Sequence, residues 1–152
     1  MEQAASVAEA AERLREDFAL LDEYRDKIEY LIDLGKRLPA LPDALKTEAN
    51  KVRGCQSQVW LVADLEPASG RMRLRADSDA ILTRGLIALL IELYDRRTSE
   101  EILANPPVVL EEIGLSRFLT PGRASGLYAM VARIRALAAA WLTASAAQAV
   151  PA

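Results

Sequence analysis

Apolar side chains at Leu14, Phe18 and Leu21 recur at spacings of three and four, which predicts a helix, and Ser6 with Glu9 three residues on supplies its capping box. A second amphipathic stretch sets Tyr24, Ile28, Leu31 and Ile32 on one side and reaches Gly35. Pro39 and Pro42 forbid its continuation, so residues 37–50 read as a loop with one helical turn after Pro42. At residues 58–65 the period drops to two: Val59, Leu61, Ala63 and Leu65 alternate with Gln58, Trp60, Val62 and Asp64, the repeat of a strand. Apolar groups on both of its faces predict a central strand. Turn residues at 67–70, followed by Arg71, Arg73 and Arg75 alternating with Met72, Leu74 and Ala76, make a hairpin with one solvated basic face. Residues 50–53 offer a short third strand, which leaves Cys55 in the tight connection after Gly54.

Helices return in the second half. Asp77, Ser78 and Asp79 are N-cap candidates for an apolar helix over 80–94. Thr98 with Glu101 forms another capping box, opening a short helix that stops before Asn105, Pro106 and Pro107, and a further short helix covers 108–113 and ends at Gly114. Thr120 followed by Pro121 is an N-cap with proline at the first helical position, so a long final helix begins there. Its apolar stripe runs Leu127, Met130, Val131, Ile134, Leu137, Ala138 and Trp141, with Arg133 and Arg135 off it. The Ala-rich tail after Leu142 has little to pack, and fraying is expected at 143–152 and at 1–6.

Composition narrows the class. The chain has 152 residues, 51% of them apolar, which suits a single domain over 1–152 with a real core. A net charge of -3 with both signs interspersed gives no nucleic-acid footprint. The first residues carry neither a basic leader nor an apolar stretch of signal-peptide type, which predicts an intracellular, reducing, cytoplasmic setting. The run at 80–93 is broken by Arg84 and Glu92 and is shorter than the ~20 residues of a membrane span, so no membrane partner is expected.

Candidate chemistry reduces to one atom. The chain contains a single cysteine, Cys55, and no histidine. Disulfide frameworks, Cys/His metal sites and imidazole general bases are therefore closed to it, and no nucleotide loop or nucleophile elbow is present. A thiol can still attack or carry sulfur if its surroundings favour the thiolate. Cys55 alone would also serve as a small buried hydrophobe. Its neighbours favour a loop: Gly54 permits a sharp bend, and Gln56, Ser57 and Gln58 are polar. Lys51 and Arg53 lie near enough in sequence to stabilise a thiolate. Arg123 sits in the first turn of the final helix, where a cation is electrostatically disfavoured; it is either a solvated arginine or one facing a partner anion. Trp60 and Trp141 read as core aromatics, and the row of Arg71, Arg73 and Arg75 as a solvated face or an acidic-partner docking face.

Four segments in order carry a family resemblance: YLIDLGKRLPALP at 30–42, GCQSQVWL at 54–61, DSDAILTRGLIALL at 77–90 and LTPGRASGL at 119–127. Together they resemble the SufE family of sulfur-acceptor proteins, which work with cysteine desulfurases in iron-sulfur cluster assembly. The resemblance implies an α/β (α+β) fold with a small curved antiparallel sheet packed against helices, the architecture shared with IscU-type scaffolds. It implies that Cys55 accepts persulfide sulfur from a SufS-like desulfurase, stimulates that enzyme, and passes the sulfur to an iron-sulfur scaffold. The protein is then a carrier and activator rather than a self-sufficient enzyme; it binds no metal or cofactor of its own, and the pyridoxal phosphate belongs to the partner. Gly54, Gln56 and Ser57 become the active loop, tucked against an apolar cavity at rest with Gly54 as hinge. Asp79 becomes a partner-facing position, and Arg123 a residue beside the loop. The chain departs from the implied pattern at Gly122, where a serine is expected, and at Ala124–Ser125. Two other readings stay open: an IscU-like cluster scaffold, and a desulfurase-docking activator in which Cys55 is incidental.

Overall fold

Periodicity becomes structure through one continuous apolar core. The computed structural model describes the backbone of residues 4–149 and the side chains of residues 4–144. Its elements are α1 (Val7–Ala19), α2 (Tyr24–Arg37), β1 (Val59–Glu66), β2 (Arg71–Ser78), α3 (Ile81–Tyr94), β3 (Arg97–Thr98), α4 (Ser99–Ala104), α5 (Val108–Glu112), α6 (Leu115–Phe118) and α7 (Pro121–Ala149). The three strands form an antiparallel sheet in the order β1-β2-β3, so the fold is α+β with a small sheet against helices.

The central strand is β2, not β1. Apolar groups on both faces of β1 suggest a central position, but Trp60 on its outer face is covered by Lys46, whose Nζ lies 5.4 Å from the ring centroid, rather than by a neighbouring strand. The expected third strand at 50–53 is only an isolated bridge between Lys51 and Trp60. The actual third strand, two residues long, pairs Thr98 with Arg71 and Arg97 with Met72 on the other edge. The loop after α2 holds two 3-10 turns, Asp43–Leu45 and Glu48–Asn50, where one turn was expected.

Val59, Leu61, Met72, Leu74 and Ala76 alternate into the core, where Leu86, Leu89, Leu90 and Leu93 of α3 are also buried. Each fully buried leucine of this kind stabilises the fold by about 1.5–3 kcal/mol. The long helix α7 contributes Leu127, Met130, Val131, Ile134 and Ala138 to the same core, with Leu137 and Trp141 packed at its margin. Trp60 and Trp141 are thus only partly buried. By length and composition, residues 121–144 of α7 are long and apolar enough to cross a membrane, a stretch that the run at 80–93 does not include; its inward stripe is nonetheless part of the core. Between α2 and α3 the backbones touch, and a methyl on Gly85 would overlap the carbonyl of Leu31.

The helix starts differ in how their free amides are met. Ser6 Oγ accepts the Glu9 amide at 3.1 Å and Thr98 Oγ1 accepts the Glu101 amide at 3.2 Å, each one half of the expected box. The Glu101 carboxylate instead accepts from the Val7 amide at 2.7 Å. For α3 the cap position is Ala80, with no side-chain cap, so Asp77, Ser78 and Asp79 do not act as its N-cap. Arg97, only 2% exposed, donates to the carbonyls of Leu93, Glu92 and Ala4. It thereby satisfies the last turn of α3 and pins the incoming chain, so Ala4 is buried where fraying was expected; residues 1–3 lie outside the described residues. At the other end α7 continues to Ala149 past the point where fraying was expected.

Candidate functional site

Cys55 is held in a loop whose base is closed by main-chain contacts. The Val52 amide donates to the Val59 carbonyl at 2.8 Å, and at the far end Asp79 clamps Gln58 twice. The Gln58 amide donates to Asp79 Oδ1 at 3.0 Å, and the Asp79 amide donates to the Gln58 carbonyl at 3.3 Å. The exposed Asp79 is therefore a loop anchor. Gly54 has φ +91, the left-handed region that a side chain rarely adopts, and it stays exposed; the backbone turns there so that Cys55 points inward.

The loop lies on a strip of small residues on α7. Gly122, Gly126 and Ala129 follow one another at helical spacing, and a methyl on Gly122 would overlap the Gln56 side-chain amide. A methyl on Gly126 would sit 3.4 Å from Cys55 Sγ, and the loop passes Ala129 at Gly54. Gly122, the departure from the implied pattern, thus makes the seat for Gln56. The helix itself begins as read from sequence, with Thr120 Oγ1 accepting the Arg123 amide at 3.3 Å and Pro121 as first residue.

Half-buried, Cys55 places its thiol within 3.6 Å of the Gly126 carbonyl, to which the S–H donates. Beside it is a cavity of about 10 Å³, roughly the room of one water-sized atom. Gln56, Ser57 and Arg123 line it together with Thr83 and Leu86 of α3 and Met130 of α7. Gly54 and Asp79 are not among the lining residues, though both shape the loop. No carboxylate lines the cavity, and Cys55 is its only strong metal donor. The sequence does not single out Thr83, Leu86 and Gly126, and it marks Gly122 only as a departure from the implied pattern; the available signal was the pair of glycines four residues apart at the start of an otherwise regular helix.

Burial disfavours the thiolate form of Cys55. Lys51 and Arg53 do not stabilise a thiolate: both turn to Glu48, at 3.7 Å and 3.2 Å. Burial pushes the Cys55 thiol above its ordinary pKa, with no compensating cation. Arg123 lines the cavity with Nε buried and, among the described residues, without a hydrogen-bond acceptor. A raised pKa means less thiolate at any given pH, so iodoacetamide alkylation of Cys55 is expected to rise with pH later in the folded protein than in the urea-unfolded chain. Rate measurements from neutral to strongly alkaline pH would check this, and coincident profiles would refute it.

The site is thus a lone half-buried thiol in an α+β domain, beside a cavity of about 10 Å³ that Arg123 also lines. The chain belongs to the SufE family: the family model, described as an Fe-S metabolism associated domain, matches residues 12–138. A solution structure of a hypothetical protein from Thermus thermophilus is similar, with TM-score 0.71 and 27% sequence identity, covering 88% of this chain and 96% of that one. The protein is thus associated with iron-sulfur metabolism.

Proposed function

We propose that the protein is a sulfur acceptor and activator for a PLP-dependent cysteine desulfurase of SufS type, with Cys55 as the acceptor. The Cys55 thiolate attacks the outer sulfur of the desulfurase's cysteine persulfide. The S–S bond of that persulfide breaks, its inner sulfur leaves as a thiolate, and a new S–S bond forms on Cys55 with no net oxidation or reduction. The same exchange in reverse roles hands the sulfur to an iron-sulfur scaffold. Neither step asks for a metal, a base or a cofactor on this chain, and a reducing cytoplasm keeps the acceptor thiol free.

The observation that carries this reading is the cavity itself. Cys55 borders a cavity of about 10 Å³, walled by Leu86, Leu127 and Met130, and Arg123, whose Nε is buried without a hydrogen-bond acceptor among the described residues, lines the same cavity. A persulfide held there is shielded from solvent thiols. The loop must open to meet a donor, and the Gly54 bend with the Gln56 seat on Gly122 are the contacts that opening would change. A cluster scaffold is poorly served by a site with one thiol and no histidine or carboxylate.

Intact mass spectrometry tests the proposal. After incubation with a cognate desulfurase and free cysteine, an adduct of one sulfur atom that disappears on reduction is expected. Its persistent absence beside an active desulfurase would overturn the reading.

A further inference from the structure

A second concave feature lies away from Cys55 and shares no lining residue with its cavity. It is a groove of about 400 Å³ lined by two short runs of chain, residues 38–42 after α2 and residues 73–76 of β2, together with Ile91 and Asp95. Beyond the two-residue β3, this edge of β2 has no partner strand among the described residues. Four extended residues measure about 13 Å, so the groove has the proportions of a short piece of extended chain rather than of a compact metabolite.

Its lining is mostly apolar, with Arg73, Arg75 and Asp95 as its charged members. Leu38 and Leu41 are buried in the core, while Pro39, Ala40 and Pro42 stay exposed along the opening. Arg73 lines the groove with Nε buried and, among the described residues, no hydrogen-bond acceptor. Its neighbours are otherwise engaged: Arg75 pairs with Asp64 at 3.5 Å, and Arg71 donates to the Arg96 carbonyl at 3.3 Å. Asp95 accepts the Leu74 amide at 2.7 Å. A buried guanidinium N–H without an acceptor is costly to leave unmade, and an incoming carboxylate would satisfy it. Arg75 pairs with Asp64 and Arg96 with Asp95 at 3.8 Å, which leaves Arg71 and Arg73 as the cations of this edge without a carboxylate among the described residues, in a chain whose net charge is -3. That local excess favours an acidic occupant.

We propose that this groove docks an extended segment of a partner protein, in which apolar residues flank a carboxylate that pairs with Arg73. The proposal does not depend on sulfur transfer at Cys55. A displayed library of short random peptides, panned against the full chain, tests it. Enriched sequences are expected to combine Asp or Glu with apolar residues. Fluorescence polarisation with the best of them should show affinity about tenfold weaker or more for Arg73→Gln, the loss of one charged hydrogen-bonded pair, and weaker for wild type as salt rises. Ala40→Glu, an exposed substitution at the rim, should weaken the same peptide and serves if Arg73→Gln fails to fold. Failure to enrich any such sequence, or equal binding by wild type and both variants, would overturn the proposal. Concentration-dependent dimerisation that Ala40→Glu abolishes would assign the groove to a second copy of this chain and overturn it likewise.

Discussion

Replacing Cys55 with serine is expected to abolish the one-sulfur adduct and the stimulation of a cognate desulfurase, while the thermal midpoint moves by no more than a few degrees. A serine hydroxyl is not ionised near neutral pH and cannot take part in exchange with a persulfide, so no residual transfer is expected. The fold has little at stake in the substitution. Cys55 is half-buried, and its one polar contact is the long S–H bond to the Gly126 carbonyl at 3.6 Å. Losing such a contact should cost about 1 kcal/mol or less. The pair of measurements separates the two remaining functional readings. Stimulation that survived Cys55→Ser undiminished, with the adduct gone, would make the protein a docking activator and Cys55 a passenger. A large fall in the thermal midpoint would instead make the thiol part of the core.

The periodic elements were legible because period reports burial directly. The alternation at 58–65 and 71–77 became β1 and β2, and the stripe from Leu127 to Ala138 became the buried face of α7. Proline and threonine at 120–121 located the start of α7 for reasons internal to a helix N-terminus. What periodicity could not convey is which surface covers a given face. Trp60 and Val62 look like the second buried face of a central strand, yet β1 is an edge, and the ammonium of Lys46 supplies part of the cover. A strand as short as Arg97–Thr98 has no period at all, and Arg97 reads as a surface charge until the carbonyls it serves are in place. At the site, Cys55, Gln56, Ser57 and Arg123 line one cavity. The glycine bed on α7 was not foreseen, because a glycine's reason is the neighbour that occupies its missing side chain, and Gln56 is far from Gly122 in sequence.

Asp77→Ala is expected to be the most destabilising single substitution of a charged residue in this fold. The Asp77 side chain is 3% exposed and is met from four directions. The amides of Leu41 and Ser78 donate to it at 3.0 and 2.8 Å, Lys46 Nζ lies at 3.5 Å, and Arg84 donates to Oδ1. Arg84 also donates to the carbonyls of Gly35 and Leu38 at the end of α2, so one ion pair joins α2, the 38–42 loop, β2 and α3. Removing the carboxylate leaves a largely buried guanidinium without its counter-charge and two amides without an acceptor. Breaking a buried pair from one side costs about 3–5 kcal/mol, a large share of the ~5–15 kcal/mol that holds a typical domain together. Asp64→Ala, which breaks the exposed pair with Arg75, should cost about 1 kcal/mol or less and is the control.

Acid supplies the second half of the test. Burial alone would raise the Asp77 pKa, but the two amide donors, Arg84 and Lys46 outweigh it and hold the carboxyl below the ordinary aspartate value of 3.8. A depressed folded pKa contributes stability that is fully present above the unfolded value and is lost as pH falls through the folded one. Urea midpoints of wild type and Asp77→Ala should therefore lie far apart at neutral pH and converge below pH 3.8. Curves that stay parallel in acid, or a neutral-pH loss no larger than that of Asp64→Ala, would mean that apolar packing between α2 and α3 holds this junction without the ion pair.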